Sequence, residues 1–134
     1  MCMNRYVLML EDDSDDRYIT SETLTSIGLN VPVWYVVHSN ELFSELQSGT
    51  KPMLVIADAN SKPDDGLTVL KRLKENTDTA AIPVVILTEQ RNDAFANACY
   101  AAGASTVITK PMRDDHTARK IEAFFRYWLD VAEV

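Results

Sequence analysis

The sequence predicts a single doubly wound α/β domain, a five-stranded parallel sheet with five flanking helices. Three observations carry this. Five short apolar runs recur at Tyr6 to Leu10, Trp34 to Val37, Met53 to Ala57, Val84 to Leu87 and Val107 to Ile108. They are strand length and almost continuously hydrophobic, the pattern of strands covered on both faces, which belongs to parallel sheets. Helix-length stretches separate them, and glycine and proline mark the boundaries. Gly28, Gly49 and Gly103 stand where a left-handed residue would close helices one, two and four, and Pro32, Pro52 and Pro83 stand just before strands.

Each element follows in order. The first strand runs into Glu11-Asp12-Asp13-Ser14-Asp15-Asp16. Asp13, Asp15 and Asp16 suit a solvated helix start, because carboxylates favour the positive end of the helix dipole and Asp or Ser caps it. Asp15 to Ile27 is then helix length. After the second strand Leu42, Phe43 and Leu46 share one helical face, and after the third Leu67, Leu70 and Leu73 do the same. Asn92 to Ala102 supplies the fourth helix. The last helix carries two adjacent apolar stripes, Ile121, Phe125, Trp128 and Ala132 beside Phe124, Tyr127 and Val131. One stripe serves the core; the second, rich in aromatics, reads as a partner surface. Lys71, Arg72 and Lys74 read as a solvated basic helix face.

Composition narrows the function. At roughly 150 residues per domain, 134 residues make one domain over 1–134, with no output domain expected. Apolar residues at 46% and charged residues at 25% are ordinary globular usage. A net charge of −7 argues against an electrostatic grip on nucleic acid or an anionic membrane, which requires a basic face. The apolar runs fall far short of the ~18 residues of a membrane span, and no signal-like segment precedes the first strand, so a cytoplasmic location is expected. Cys2 and Cys99 lack metal or redox spacing, and His38 and His116 lack metal-ligand spacing.

In open parallel sheets, ligands bind beyond the carboxyl ends of the strands. Those ends deliver Glu11 and Asp12, then Asp58, then Thr88, then Lys110. Three acids against one amine leave uncompensated negative charge, and two carboxylates ~4 Å apart repel by ~4 kcal/mol at an effective dielectric near 20. Such a cluster favours a hard divalent cation, Mg²⁺ being the natural one. A carboxylate in that setting can act as a nucleophile toward phosphorus, forming an aspartyl-phosphate. Asp58 is placed for it, with Thr88 and Lys110 available to phosphoryl oxygens.

These residues resemble the receiver domain of two-component response regulators. The resemblance spans essentially the whole chain, from Leu10-Glu11-Asp12-Asp13 through Asp58, Gly66, Thr88 and Gly103-Ala104 to Lys110-Pro111. It implies a flavodoxin-like sheet of strand order 2-1-3-4-5 and phosphoryl acceptance by Asp58. It further implies that Glu11, Asp12, Asp58 and the Asn60 backbone carbonyl hold Mg²⁺, that Thr88 and Lys110 bind phosphoryl oxygens, and that Lys110-Pro111 is cis. A histidine kinase or phosphotransfer protein would be the donor, and a homodimer would form on the face made by the fourth helix, fifth strand and fifth helix. The expected function is that of a stand-alone phosphoacceptor that catalyses only its own phosphorylation and dephosphorylation.

Three positions depart from the family pattern. Val107 replaces a ring three residues before the lysine, so relay would rest on backbone shifts or dimerisation. Glu89 follows Thr88 where a small residue is common, and altered transfer or hydrolysis rates are expected. Lys62 stands where proline is frequent, a change expected to be tolerated. Competing functions fit less well. An EF-hand starting at Asp12 would need Gly and Glu where Arg17 and Thr23 stand. A haloacid-dehalogenase-like hydrolase would need an acid at Asn60. A flavodoxin-like electron carrier would need a phosphate cradle where five acids stand in six residues. The alternative kept is a degenerate receiver acting as a phosphorylation-independent protein-binding module.

Overall fold

The computed structural model describes residues 6–110 and 117–133. Five parallel strands, β1 (Val7–Leu10), β2 (Val33–Val36), β3 (Leu54–Asp58), β4 (Val84–Thr88) and β5 (Thr106–Thr109), form one sheet ordered β2-β1-β3-β4-β5. Between and after them run α1 (Ser14–Ser26), α2 (Ser39–Gln47), α3 (Gly66–Glu75), α4 (Asp93–Ala101) and α5 (Thr117–Arg126), the last passing into a π-helical turn at Tyr127–Val131. Among the described residues, no helix is long and apolar enough to cross a membrane.

Side chains alternate between the faces of a strand, so the central strands feed two cores. Leu8, Leu10, Val55, Ala57, Val84 and Ile86 pack toward Leu42 and Leu46 of α2, Leu70 and Leu73 of α3, and Cys99 of α4. Val7, Met9, Leu54, Ile56 and Val85 pack toward Leu24 of α1, Phe125 of α5 and the π turn's Trp128 and Leu129. Registers Leu10↔Ala57, Asp58↔Leu87 and Thr88↔Thr109 bring the carboxyl ends of four strands to one edge. Asp58 and Thr88 thus close their strands instead of following them.

Local chemistry explains the boundaries. Asp13 caps α1 by accepting the Asp15 and Asp16 N–H groups at 2.8 and 3.3 Å, Asp65 caps α3 through Thr68 N–H at 2.8 Å, and Asn92 caps α4 through Phe95 N–H at 3.0 Å. Gly28 and Gly103 adopt φ of 73° and 108°, beyond the ends of α1 and α4. Gly49 stands in the same place, one residue past the Ser48 cap of α2, yet does not take a positive φ; the Ser48 N–H reaches Glu45 O at 3.3 Å. Pro32 and Pro83 lack an N–H but lend their carbonyls to Val7 and Val55 at 2.9 and 3.0 Å, joining the sheet from the acceptor side.

Two further expectations change. On the basic face Lys71 and Arg72 are exposed as expected, whereas Lys74 is half-buried. The Arg72 guanidinium lies 3.8 Å from the Phe43 ring centroid and 2.6 Å from Asp64, while Lys74 donates to the Ala80 and Ile82 carbonyls at 2.9 and 2.8 Å. In the last helix, Phe125 and Trp128 are buried as the first stripe requires, and Tyr127 and Val131 of the second are 52% and 67% exposed. Leu129, on neither stripe, is buried as well; the π turn carries more residues per turn than an α-helix and so shifts the inward face. Among the described residues the cis peptide bond is Lys62–Pro63; Pro111, and with it the bond expected to be cis, Cys2 and His116 lie outside them.

Candidate functional site

Three of the expected acids meet at the carboxyl edge. Glu11 leaves β1 with its N–H on Val36 O at 3.0 Å, which ties it to the neighbouring strand. Its side chain is buried at 1% exposure, Asp58 at the end of β3 is 6% exposed, and Asp12 is exposed. One carboxylate oxygen from each lies within 4.8 Å of the others. Glu11 Oε2 accepts the Asp13 N–H at 3.3 Å, and Asp58 Oδ1 accepts the Asn60 N–H at 3.1 Å. Glu11 Oε1 makes no hydrogen bond, although the Lys110 ammonium is 2.9 Å away, off the hydrogen-bonding direction. A buried carboxylate oxygen without a hydrogen bond, beside two more acids, is an all-oxygen donor set that fits a hard divalent cation.

The loop after Asp58 is held by close approach. A Cβ on Gly66 would lie 2.8 Å from both Asp58 O and Ala59 Cα, and the Gly66 N–H donates to Ala59 O at 3.0 Å. Only glycine lets the start of α3 sit this near the end of β3. Ser61, also buried, donates its hydroxyl to Asp64 O at 2.7 Å and closes the same loop.

Lys110 follows β5, its N–H bonded to Thr88 O at 2.7 Å. Its ammonium lies 2.9 Å from Glu11 Oε1, 3.1 Å from Asp16 Oδ2, 3.2 Å from Glu89 Oε1 and 3.5 Å from Asp58 Oδ2. Burial alone would lower its pKa, but the Glu11, Asp16 and Asp58 carboxylates outweigh burial and hold the ammonium charged well above its ordinary range. Burial raises the Glu11 carboxyl to about 7, with the Asp58 charge adding to the rise and Lys110 opposing it. Thr88 is buried at the end of β4, its hydroxyl 3.5 Å from both Ile108 O and Thr109 Oγ1. The edge therefore gathers Glu11, Asp12, Asp58, Thr88 and Lys110, with Asn60 on the adjoining loop.

Asp16 corrects its sequence reading. It stands in the first turn of α1 as expected, yet it is half-buried and pairs with Lys110 across 94 positions of chain. His38 is exposed at the start of α2, and Cys99 is a buried free thiol in α4, so neither joins the site.

Comparison with known proteins bears on this edge. The response regulator receiver domain profile matches residues 7–122. Response regulator Rcp1 of Synechocystis sp. is 24% identical over 132 residues, spanning 94% of this chain and 90% of that protein. The probable methanogenesis regulatory protein FilR2 of Methanothrix harundinacea is 31% identical over 128 residues, spanning 92% and 83%. Among solved structures, the Mn²⁺-bound form of Rcp1 superposes with a TM-score of 0.89 at 24% identity over 97% of this chain and 98% of that one. A response regulator from Hahella chejuensis superposes at 0.88 with 28% identity over 97% and 98%.

Proposed function

Because this chain belongs to the response regulator receiver family, we propose that it accepts a phosphoryl group on Asp58 from a histidine kinase or phosphotransfer protein and signals through changed protein contacts. The observation that supports this reading most is the placement of Asp58 at the end of β3, 6% exposed, with Oδ2 3.5 Å from the Lys110 ammonium and the Glu11 and Asp12 carboxylates beside it. Glu11, Asp12, Asp58 and the Asn60 carbonyl would hold Mg²⁺. When bound, it neutralises negative charge on the transferring phosphoryl oxygens. Asp58 Oδ attacks phosphorus, and the donor leaves with the electron pair of the broken bond. The carboxylate needs no base, since it carries no proton to lose. Lys110 and the Thr88 hydroxyl take phosphoryl oxygens, Thr88 by turning from its 3.5 Å contacts toward Asp58. Catalysis is confined to the chain's own phosphorylation and dephosphorylation.

For the output, the α4–β5–α5 face is the dimer surface. Tyr100 of α4 and, after α5, Tyr127 and Val131 are 49%, 52% and 67% exposed. One observation favours the second reading, a module that binds partners without phosphorylation: Glu89 already occupies Lys110 at 3.2 Å. Intact mass after incubation with acetyl phosphate and Mg²⁺ separates the two. One phosphoryl increment that disappears in Asp58→Asn and in EDTA supports the phosphoacceptor; no increment with either a small donor or a kinase supports the binding module.

A further inference from the structure

We propose that Asp16 and Glu89 are counter-anions of the Lys110 ammonium, Asp16 anchoring it at the site and Glu89 slowing phosphoryl transfer to Asp58 by competing for the ammonium and opposing the incoming charge. This rests on the phosphoacceptor reading above and adds two positioning residues to it. The ammonium has three N–H bonds, and among the described residues four carboxylates surround it within 3.5 Å. Hydrogen-bond geometry is met by Asp16 Oδ2 at 3.1 Å and Glu89 Oε1 at 3.2 Å, whereas Glu11 Oε1 is off-axis and Asp58 Oδ2 lies at 3.5 Å. Lys110 therefore aims at the two acids outside the metal cluster. That leaves one N–H for a phosphoryl oxygen, and a second becomes available only when Glu89 leaves.

Exposure distinguishes the two. The Glu89 side chain is 63% exposed on the segment after β4, and Asp16 is 28% exposed and fixed in the first turn of α1. Glu89 can swing into water at small cost, as exposed ion pairs contribute little; Asp16 stays and keeps the lysine over the pocket. An arriving phosphoryl group carries about two negative charges into an edge that is already acidic, so Glu89 also opposes its approach. Transfer from acetyl phosphate forms the Asp58 Oδ–P bond and breaks the bond from phosphorus to the acetate oxygen, which leaves as acetate, with no proton transferred.

The test measures initial phosphorylation rates with acetyl phosphate and Mg²⁺ in wild type, Glu89→Gln, Glu89→Ala and Asp58→Asn, at low and high ionic strength. Glu89→Gln keeps the size and removes the charge, and it is expected to react roughly fivefold faster at low salt, equivalent to ~1 kcal/mol. The advantage should shrink toward unity near 1 M salt, where screening acts over ~3 Å. If Glu89→Ala is fast and Glu89→Gln matches wild type, bulk is responsible and the proposal is overturned; a salt-independent ratio overturns it too. A second readout needs no donor: the ¹⁵N and ¹H signals of the Lys110 ammonium should move in Glu89→Gln and in Asp16→Asn and stay fixed in Glu45→Gln. Phosphorylated wild type with no faster Glu89→Gln defeats this inference alone. No phosphorylation of any variant, by acetyl phosphate or a kinase, defeats the function it rests on.

Discussion

Among the site's carboxylates, Glu11 carries a marked pH signature. Burial, which penalises its charge, pushes its carboxyl up to about 7 from an ordinary 4.5. The native state thus binds this proton more tightly than the unfolded chain, so the group's contribution is complete below about 4.5 and is lost as pH rises through about 7. Glu11→Gln should therefore raise the urea midpoint of metal-free protein more at pH 8 than at pH 5. The same titration sets metal affinity, since a ligand must be deprotonated: Mg²⁺ binding, followed by calorimetry, should weaken as pH falls below about 7. Asp58, Thr88 and Lys110 were legible in the sequence because a strand end fixes where a residue sits. Asp16 was not, because its partner lies on another element and nothing local marks a pairing across 94 positions.

Gly66 and Asp65 govern the α3 start, where two effects meet. Adding a methyl in Gly66→Ala would force a contact at 2.8 Å against backbone that cannot yield cheaply; an overpacking cost of about 1–3 kcal/mol should appear in the unfolding midpoint, with slower Asp58 phosphorylation because the loop shifts. Asp65→Ala removes the cap on Thr68 N–H and should cost about 1 kcal/mol while leaving Asp58 reactive. Comparing the pair separates a positional effect from simple helix destabilisation. The order of elements was readable because continuous apolar runs and helical spacing are strong signals. The end of α2 and the last helix were not: Ser48 closes the former without a left-handed glycine, and a π turn rephases the latter. Within the basic patch only Lys74 departs from a solvated face, because its stem packs while its ammonium finds the Ala80 and Ile82 carbonyls.

For the whole domain, stability and site occupancy are linked. A cation that binds only the native state stabilises it by ~2.7 kcal/mol at a concentration 100 times Kd, so Mg²⁺ should raise the melting temperature of the wild type and EDTA should reverse the gain. Glu11→Gln should blunt that response, as should Asp58→Asn. The two cores give this linkage a rigid frame, since β1, β3 and β4 are buried on both faces and carry the site at their ends.

The outer side of β5 carries a different kind of information. Tyr100 Oη on α4 accepts the Val107 N–H at 3.0 Å, and β5 is an edge strand. A bare edge invites another strand to extend the sheet by main-chain pairing. Here the phenol occupies that donor, so this border is closed to β-augmentation at its midpoint. Tyr100→Phe would reopen it without removing the ring, and slow aggregation at high concentration, detected by light scattering, is the expected outcome. Whatever docks on this side must therefore be recognised through side chains.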